Sequence, residues 1–194
     1  MPAAVQQADR KTQIQWHAAK LFCEAGFAGT SMRDLSRAVG IEPASLYSHI
    51  KSKESLLRDI CFGVMDAFYS RSESHVPGME NCLTPLLEGH VQVILDSPAA
   101  AQVAEREWKF LNDEDREKFQ SLKLNYEWKF TEAIRTGIRT GQIRDVNPRF
   151  AVRHLFASTS WIPGWYAAHS NLNPSELSAQ SVKIILGGFW LEAA

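Results

Sequence analysis

The sequence predicts an all-α protein, and three observations carry that prediction. Apolar residues recur three and four apart through much of the 194 residues, capping side chains stand before prolines or acids at the start of one segment after another, and no alternating run of strand length appears. With 45% apolar residues the chain can bury a real core, and its length suits one large domain or a small one joined to a larger.

The elements follow in order. Residues 1–8 read as a loose, disordered tail. Ile14, Ala18, Leu21, Phe22 and Ala25 share one face of a helix over about 9–25, with Gly26 as its left-handed stop. Thr30 or Ser31 caps a second helix with Leu35, Ala38 and Val39 on its inner face, until Gly40 breaks it. Gly40-Ile41-Glu42 is a turn. Pro43 suits a first helical position, where its missing N–H has no intrahelical partner to lose, and the third helix runs to about residue 50, burying Leu46 and Ile50. A fourth, over about 53–71, carries Leu56, Leu57, Ile60, Val64 and Phe68. Residues 72–81, with Pro77-Gly78, read as a linker.

Beyond it, Ser97-Pro98, Asn112-Asp113, Asn147-Pro148 and Asn173-Pro174 each mark a helix start. The segment from 113 to about 140 sets Phe119, Leu122, Tyr126, Phe130, Ile134 and Ile138 on one face of an amphipathic helix about 40 Å long. The last two helices span about 148–169 and 174–191. The expected architecture is therefore a three-helix head over residues 1–52 and a helical body over 53–194, about nine helices in all.

Charge divides along the same line. Residues 1–60 carry eight Lys or Arg against six acids, net +2, and the remaining 13 against 16 leave the body at −3. A weakly basic head suits contact with a few phosphates better than nonspecific coating of nucleic acid. Cys23, Cys61 and Cys82 show no C-x-x-C spacing, so neither a disulfide framework nor a zinc site is indicated. No signal peptide opens the chain and no apolar run approaches the roughly 20 residues that cross a bilayer, so a cytoplasmic setting without membrane contact is expected.

Residues 30–57 read as a helix-turn-helix with a short, hydroxyl-rich second helix. Eight helical residues extend about 12 Å, comparable to the major groove, so such a helix enters with its first residues at base edges. Ala44, Ser45 and Ser48 are small enough for close approach. Tyr47 and His49 end in groups suited to phosphate oxygens, and Lys53 stands at a helix N-terminus, where its charge and the free N–H groups suit another phosphate. Arg33 and Arg37 suit DNA contact as well as they suit a solvated surface or an intrahelical partner.

The run Thr30-Ser31-Met32-Arg33-Asp34-Leu35, then Ala38-Val39-Gly40-Ile41, then Ser45-Leu46-Tyr47-Ser48-His49-Ile50 and Lys53-Glu54-Ser55-Leu56-Leu57 resembles the N-terminal signature of the TetR family of bacterial transcriptional regulators. Order and spacing match over about 45 residues, counting a Phe22 and Gly26-Phe27 lead-in, with Ile50 where Phe is more usual. The resemblance implies backbone contacts from Thr30 and Ser31, groove and backbone contacts from residues 45–49, and a phosphate contact from Lys53. It also implies a homodimer on a palindromic double-stranded DNA operator, the last two helices of each subunit pairing into a four-helix bundle. Ile184, Ile185, Gly188 and Phe189 are candidates for that seam, with ordinary core as the alternative.

Ser160-Trp161-Ile162-Pro163-Gly164-Trp165-Tyr166 is the most unusual patch, and Pro163 with Gly164 should bend or end a helix there. Trp161 and Trp165, four apart, share a face. With Trp108, Tyr126, Trp128 and His154 they compose an apolar cavity with polar tips, suited to a small hydrophobic effector. Aromatic residues at helical spacing also serve as core or dimer interface, and the sequence leaves all three open. The patch, with Leu186-Gly187-Gly188-Phe189, is also similar to the C-terminal region of TetR members that respond to acyl-coenzyme A thioesters. That similarity implies a long pocket with a basic mouth, for which Arg106, Lys109, Arg135 and Arg139 are candidates.

The function expected is a ligand-responsive repressor released from DNA by a hydrophobic effector, possible acyl-CoA chemistry included. The alternative is an effector-independent DNA-binding adaptor whose body holds a protein partner. Catalysis is not expected. The six histidines form no H-x-x-x-H pair, and G-x-S-x-G, P-loop and G-x-G-x-x-G motifs are absent, so no cofactor or metal is called for.

Overall fold

The computed structural model describes residues 3–73, 82–168 and 173–187. In chain order the helices are α1 (Ala3–Gln6), α2 (Arg10–Ala25), α3 (Met32–Val39), α4 (Pro43–Leu46), α5 (Lys53–Ser72), α6 (Leu83–Asp96), α7 (Pro98–Arg106), a 3-10 turn η1 (Trp108–Phe110), α8 (Asp113–Arg139), α9 (Pro148–Thr159), α10 (Ile162–Ala168) and α11 (Pro174–Gly187). Nine of the eleven α-helices exceed a single turn, and no strand occurs among the described residues. The all-α expectation holds.

Caps explain most of the boundaries. The Asp9 carboxylate accepts from Thr12 N at 2.8 Å to open α2. At α3, Ser31 accepts from Asp34 N while the Asp34 carboxylate accepts from Ser31 N, a reciprocal capping box. Asn112, Asn147 and Asn173 each accept from a backbone N–H of the helix that follows. Gly40 closes α3 in the left-handed region, and Gly26 follows α2 at φ 76°, ψ 157°, a conformation reserved almost wholly for glycine.

Three sequence expectations need correction. The first residues are not all loose: Ala3–Gln6 form a helical turn, tied to α2 where Gln13 Nε2 donates to the carbonyls of Gln6 and Ala8. The third helix ends at Leu46, four residues short of the expected stop. Residues 47–49 continue as tighter turns, with Ser48 N bonded to Ser45 O and His49 N to Leu46 O, and the Ser48 hydroxyl also donates to Ser45 O. The expected helix over 148–169 is two helices, α9 and α10, and Pro163 sits in the first turn of α10, where no N–H is required of it.

The chain forms two compact units, which divide inside α5 and α8. One comprises Met1–Val64 with Ala99–Gln120, the other Met65–Pro98 with Ser121–Ala194. Residues 99–120 attach to the first unit through long-range contacts. Glu107 accepts from Phe27 N at 3.1 Å, the Phe110 ring lies 5.5 Å from Phe27, and Asp115 pairs with Arg58 at 3.1 Å. The core of this unit is built from Ile14, Ala18, Phe22, Leu35, Leu46 and Leu57.

In the second unit α6 is the centre, apolar nearly all round, with α10 and α11 packed against it. Phe130 and Ile134 of α8 and Leu155 of α9 are fully buried. Gly137 lets Ile143 close over α8: a Cβ at that position would stand 2.5 Å from Ile143 Cδ1.

Candidate nucleic-acid interface

The starts of α3 and α5 converge on a concavity of about 330 Å³ lined by Thr30, Ser31, Met32, Tyr47, Lys51, Ser52, Lys53 and Glu54. The first N–H groups of a helix lack intrahelical acceptors and carry a partial positive charge, so two such starts make a surface that favours anions. At α5 the cap is Ser52, which exchanges hydrogen bonds with Ser55 at 3.1 Å in both directions. The sequence carries a signal for that cap: S-x-x-S has the capping-box spacing with a hydroxyl in place of the carboxylate.

Beside the concavity, Ala44, Ser45, Tyr47, Ser48 and His49 are exposed around a fully buried Leu46. Tyr47 both stands out to solvent and lines the concavity. Arg33 is exposed on α3, and Arg37 lies 3.8 Å from Asp34. The Ser31 hydroxyl, with the Ser31 backbone N–H, holds the Asp34 carboxyl below the usual carboxylate range.

Two expected contact residues have other duties. Thr30 is 3% exposed and its hydroxyl donates to Gly26 O at 2.9 Å, so the hydroxyl closes the loop after α2. Lys53 Nζ donates to Phe27 O at 2.9 Å and Thr30 O at 2.8 Å and stands over the Phe27 ring. An ammonium has three hydrogens, so one remains for an anion.

The residues expected to line a ligand cavity separate. His154, Trp161 and Trp165 line an open, mainly apolar groove of about 820 Å³ along α9, α10 and α11, together with Phe150, Ile184 and Ile185. Trp161 and Trp165 meet edge to face at 5.6 Å. Trp108 is elsewhere, in the first unit against Phe119, and Trp128 points to solvent from α8. Tyr126 is buried in the core. Helical spacing put these residues on faces but said nothing about which faces meet. The groove brings the pocket candidates His154, Trp161 and Trp165 together with the dimer candidates Ile184 and Ile185. Gly188 and Phe189 lie outside the described residues.

Tyr126 belongs to a polar cluster that sequence reasoning missed. Its hydroxyl is 3.3 Å from His90 Nδ1, and His90 Nε2 is 3.3 Å from Thr159 Oγ1. The rings of Phe68, Phe130 and Phe156 enclose the pair. Burial holds the His90 imidazole far below the usual histidine range, at about 3, and pushes the Tyr126 phenol up.

Among the described residues no group of His, Cys, Asp or Glu could hold a metal ion, and no helix is long and apolar enough to cross a membrane. A helix-turn-helix unit joined to a helical body defines a class of DNA-binding regulator. Residues 17–60 match the family described as bacterial regulatory proteins, tetR family, and residues 80–189 match the tetracyclin repressor-like C-terminal domain. The chain belongs to the TetR family of transcriptional regulators, which are not enzymes.

It is 30% identical to the HTH-type transcriptional repressor KstR2 of Rhodococcus jostii (strain RHA1), covering 92% of this chain and 90% of that one. Among solved structures, the ketosteroid transcriptional regulator KstR2 of Mycobacterium tuberculosis shares the fold at a TM-score of 0.85, with 23% identity over 97% of this chain and 98% of that one. AibR in complex with isovaleryl coenzyme A and operator DNA has a TM-score of 0.75 and 26% identity, over 91% of this chain and 97% of that one.

Proposed function

We infer that this protein is a ligand-responsive transcriptional repressor, acting in the cytoplasm as a homodimer on a palindromic operator. The observation that carries the DNA reading is the pair of helix starts converging beside the exposed turn at 44–49. The free hydrogen of Lys53, Tyr47 and the N–H groups of α3 and α5 hold a phosphate, while Ser31, whose hydroxyl and N–H are committed to Asp34, caps α3 beside it. Arg33 and His49 reach the backbone, and Ala44, Ser45 and Ser48 enter the major groove.

The apolar groove supports the second half of the reading. Phe150 is 72% and Ile184 78% exposed, an unusual cost for large apolar side chains that a second copy of the chain removes by covering this face. Because His154, Trp161 and Trp165 line the same groove, the second copy also closes the site in which a small hydrophobic effector binds. An acyl-CoA thioester is the favoured class, supported by the isovaleryl coenzyme A complex of AibR. Helix α5 carries Lys53 in one unit and Phe68 in the other, so it is the covalent path for a coupling of about 1–3 kcal/mol between effector and operator.

The test is a gel-shift titration of the protein against DNA from upstream of its own reading frame, with and without isovaleryl-CoA and longer acyl-CoA thioesters. Sequence-selective binding that an acyl-CoA releases is the expected result. Binding that no thioester alters removes the effector, and absence of selective binding removes the repressor. Native mass spectrometry of freshly purified protein reports the dimer and any retained ligand in one spectrum.

A further inference from the structure

Resting on the DNA reading above, we propose that the recognition turn of this protein identifies its operator chiefly through the C5-methyl groups of thymines. The exposed residues from 42 to 49 are Glu42, Pro43, Ala44, Ser45, Tyr47, Ser48 and His49, while Leu46 and Ile50 are buried. None is Arg, Lys, Asn or Gln, the side chains that pair in bidentate fashion with guanine or adenine in the major groove.

The hydrogen-bonding groups that remain are few and partly committed. Tyr47 lines the concavity between α3 and α5, which assigns it to the phosphate side. The Ser48 hydroxyl has spent its hydrogen on Ser45 O at 2.7 Å. Pro43 has no N–H to offer. Glu42 presents an acceptor alone, suited to the amino group of cytosine or adenine and repelled by the phosphates on either side. What α4 puts forward is the pyrrolidine ring of Pro43, the methyl of Ala44 and the Cβ of Ser45, with the Ser45 hydroxyl as its one side-chain group able to bond a base edge. The one base-edge feature in the major groove that rewards such a surface is the thymine methyl.

The full-length protein is used to select duplexes from a randomised 24-base-pair library, and the enriched duplex is then titrated by fluorescence anisotropy. Thymines are replaced one at a time by deoxyuridine, which deletes the methyl and leaves every hydrogen-bonding edge intact. We expect conserved thymines in each half-site, with uridine at one or two of them weakening binding about 3- to 5-fold, the factor for burying one methyl-sized group. In the A44G variant the same exchange should change affinity by less than about 1.5-fold. Equal binding of thymine and uridine duplexes overturns the inference, as does a motif of conserved guanines whose recognition is lost in R33A. A library from which no sequence is enriched removes the DNA-binding reading and this inference with it.

Discussion

The helix ends around the helix-turn-helix and the core of the second unit satisfy their polar groups in different ways. Around the helix-turn-helix, partners are near in sequence: Ser31 with Asp34, Ser52 with Ser55, Ser48 with Ser45. In the second unit the buried polar groups reach across the chain. His90 meets Thr159 from 69 residues away and Tyr126 from 36, and the Tyr69 hydroxyl donates to Leu122 O across 53. Local caps each stabilise one helix end, while Lys53 and Glu107 tie the first unit together over longer range. A unit whose buried polar groups meet only in the finished fold depends on all of α6, α8 and α9 at once, and responds as a whole when one of those groups changes.

The sharpest way to break this contrast is in the second unit's core. Phe130 is fully buried within the ring cluster around His90 and Tyr126, so Phe130→Ala should lower the unfolding free energy by about 3–5 kcal/mol in urea denaturation. A loss near 1 kcal/mol would mean that the cluster is loosely packed and the contrast is overstated.

Next in size is a pH effect. The folded-state pKa of His90 is lowered from 6.5 to about 3, so between those values the unfolded chain holds a proton that the folded one refuses. The stabilisation is complete above pH 6.5 and falls as pH drops, by up to about 1.4 kcal/mol per unit, or about 2 kcal/mol by pH 5. His17, shifted the same way chiefly by burial, adds in the same direction. Urea melts at pH 7 and pH 5 should show the fall, and His90→Gln should remove most of it.

A smaller loss is expected at the head. Ser31→Ala deletes the side-chain half of the α3 capping box and should cost about 1 kcal/mol by thermal melting, since a helix cap is worth about 0.5–2 kcal/mol. The smallest effect on folding is expected at the groove: Ile184→Glu, at a position 78% exposed, should change monomer stability by less than about 0.5 kcal/mol. If the groove is the dimer face, the same substitution shifts the protein to monomer in light scattering, and an unchanged dimer would move the interface elsewhere.

Much of the fold was legible before the structure because helix ends and amphipathic faces depend on residues only three or four apart. Asp9, Ser31, Asn112, Asn147 and Asn173 name their helices' starts, and α8 ends within one residue of its expected stop. The interface was legible in part. Residues 44–49 do surround a buried Leu46 in the open, yet Thr30 and Lys53 are bound inward to carbonyls that no short motif announces.

Composition, spacing and caps by themselves determined that the chain is helical, that a helix-turn-helix lies at residues 30–57, and that Trp161 and Trp165 share a face. Only the tertiary structure decided that residues 99–120 join the head, that Trp108 and Trp128 leave the groove, and that a neutral histidine sits in the core of the second unit. The reason is one of range. Backbone capping and side-chain periodicity act within a helical turn, whereas burial and long-range hydrogen bonding depend on which helix faces meet, and that is set by packing across the whole unit.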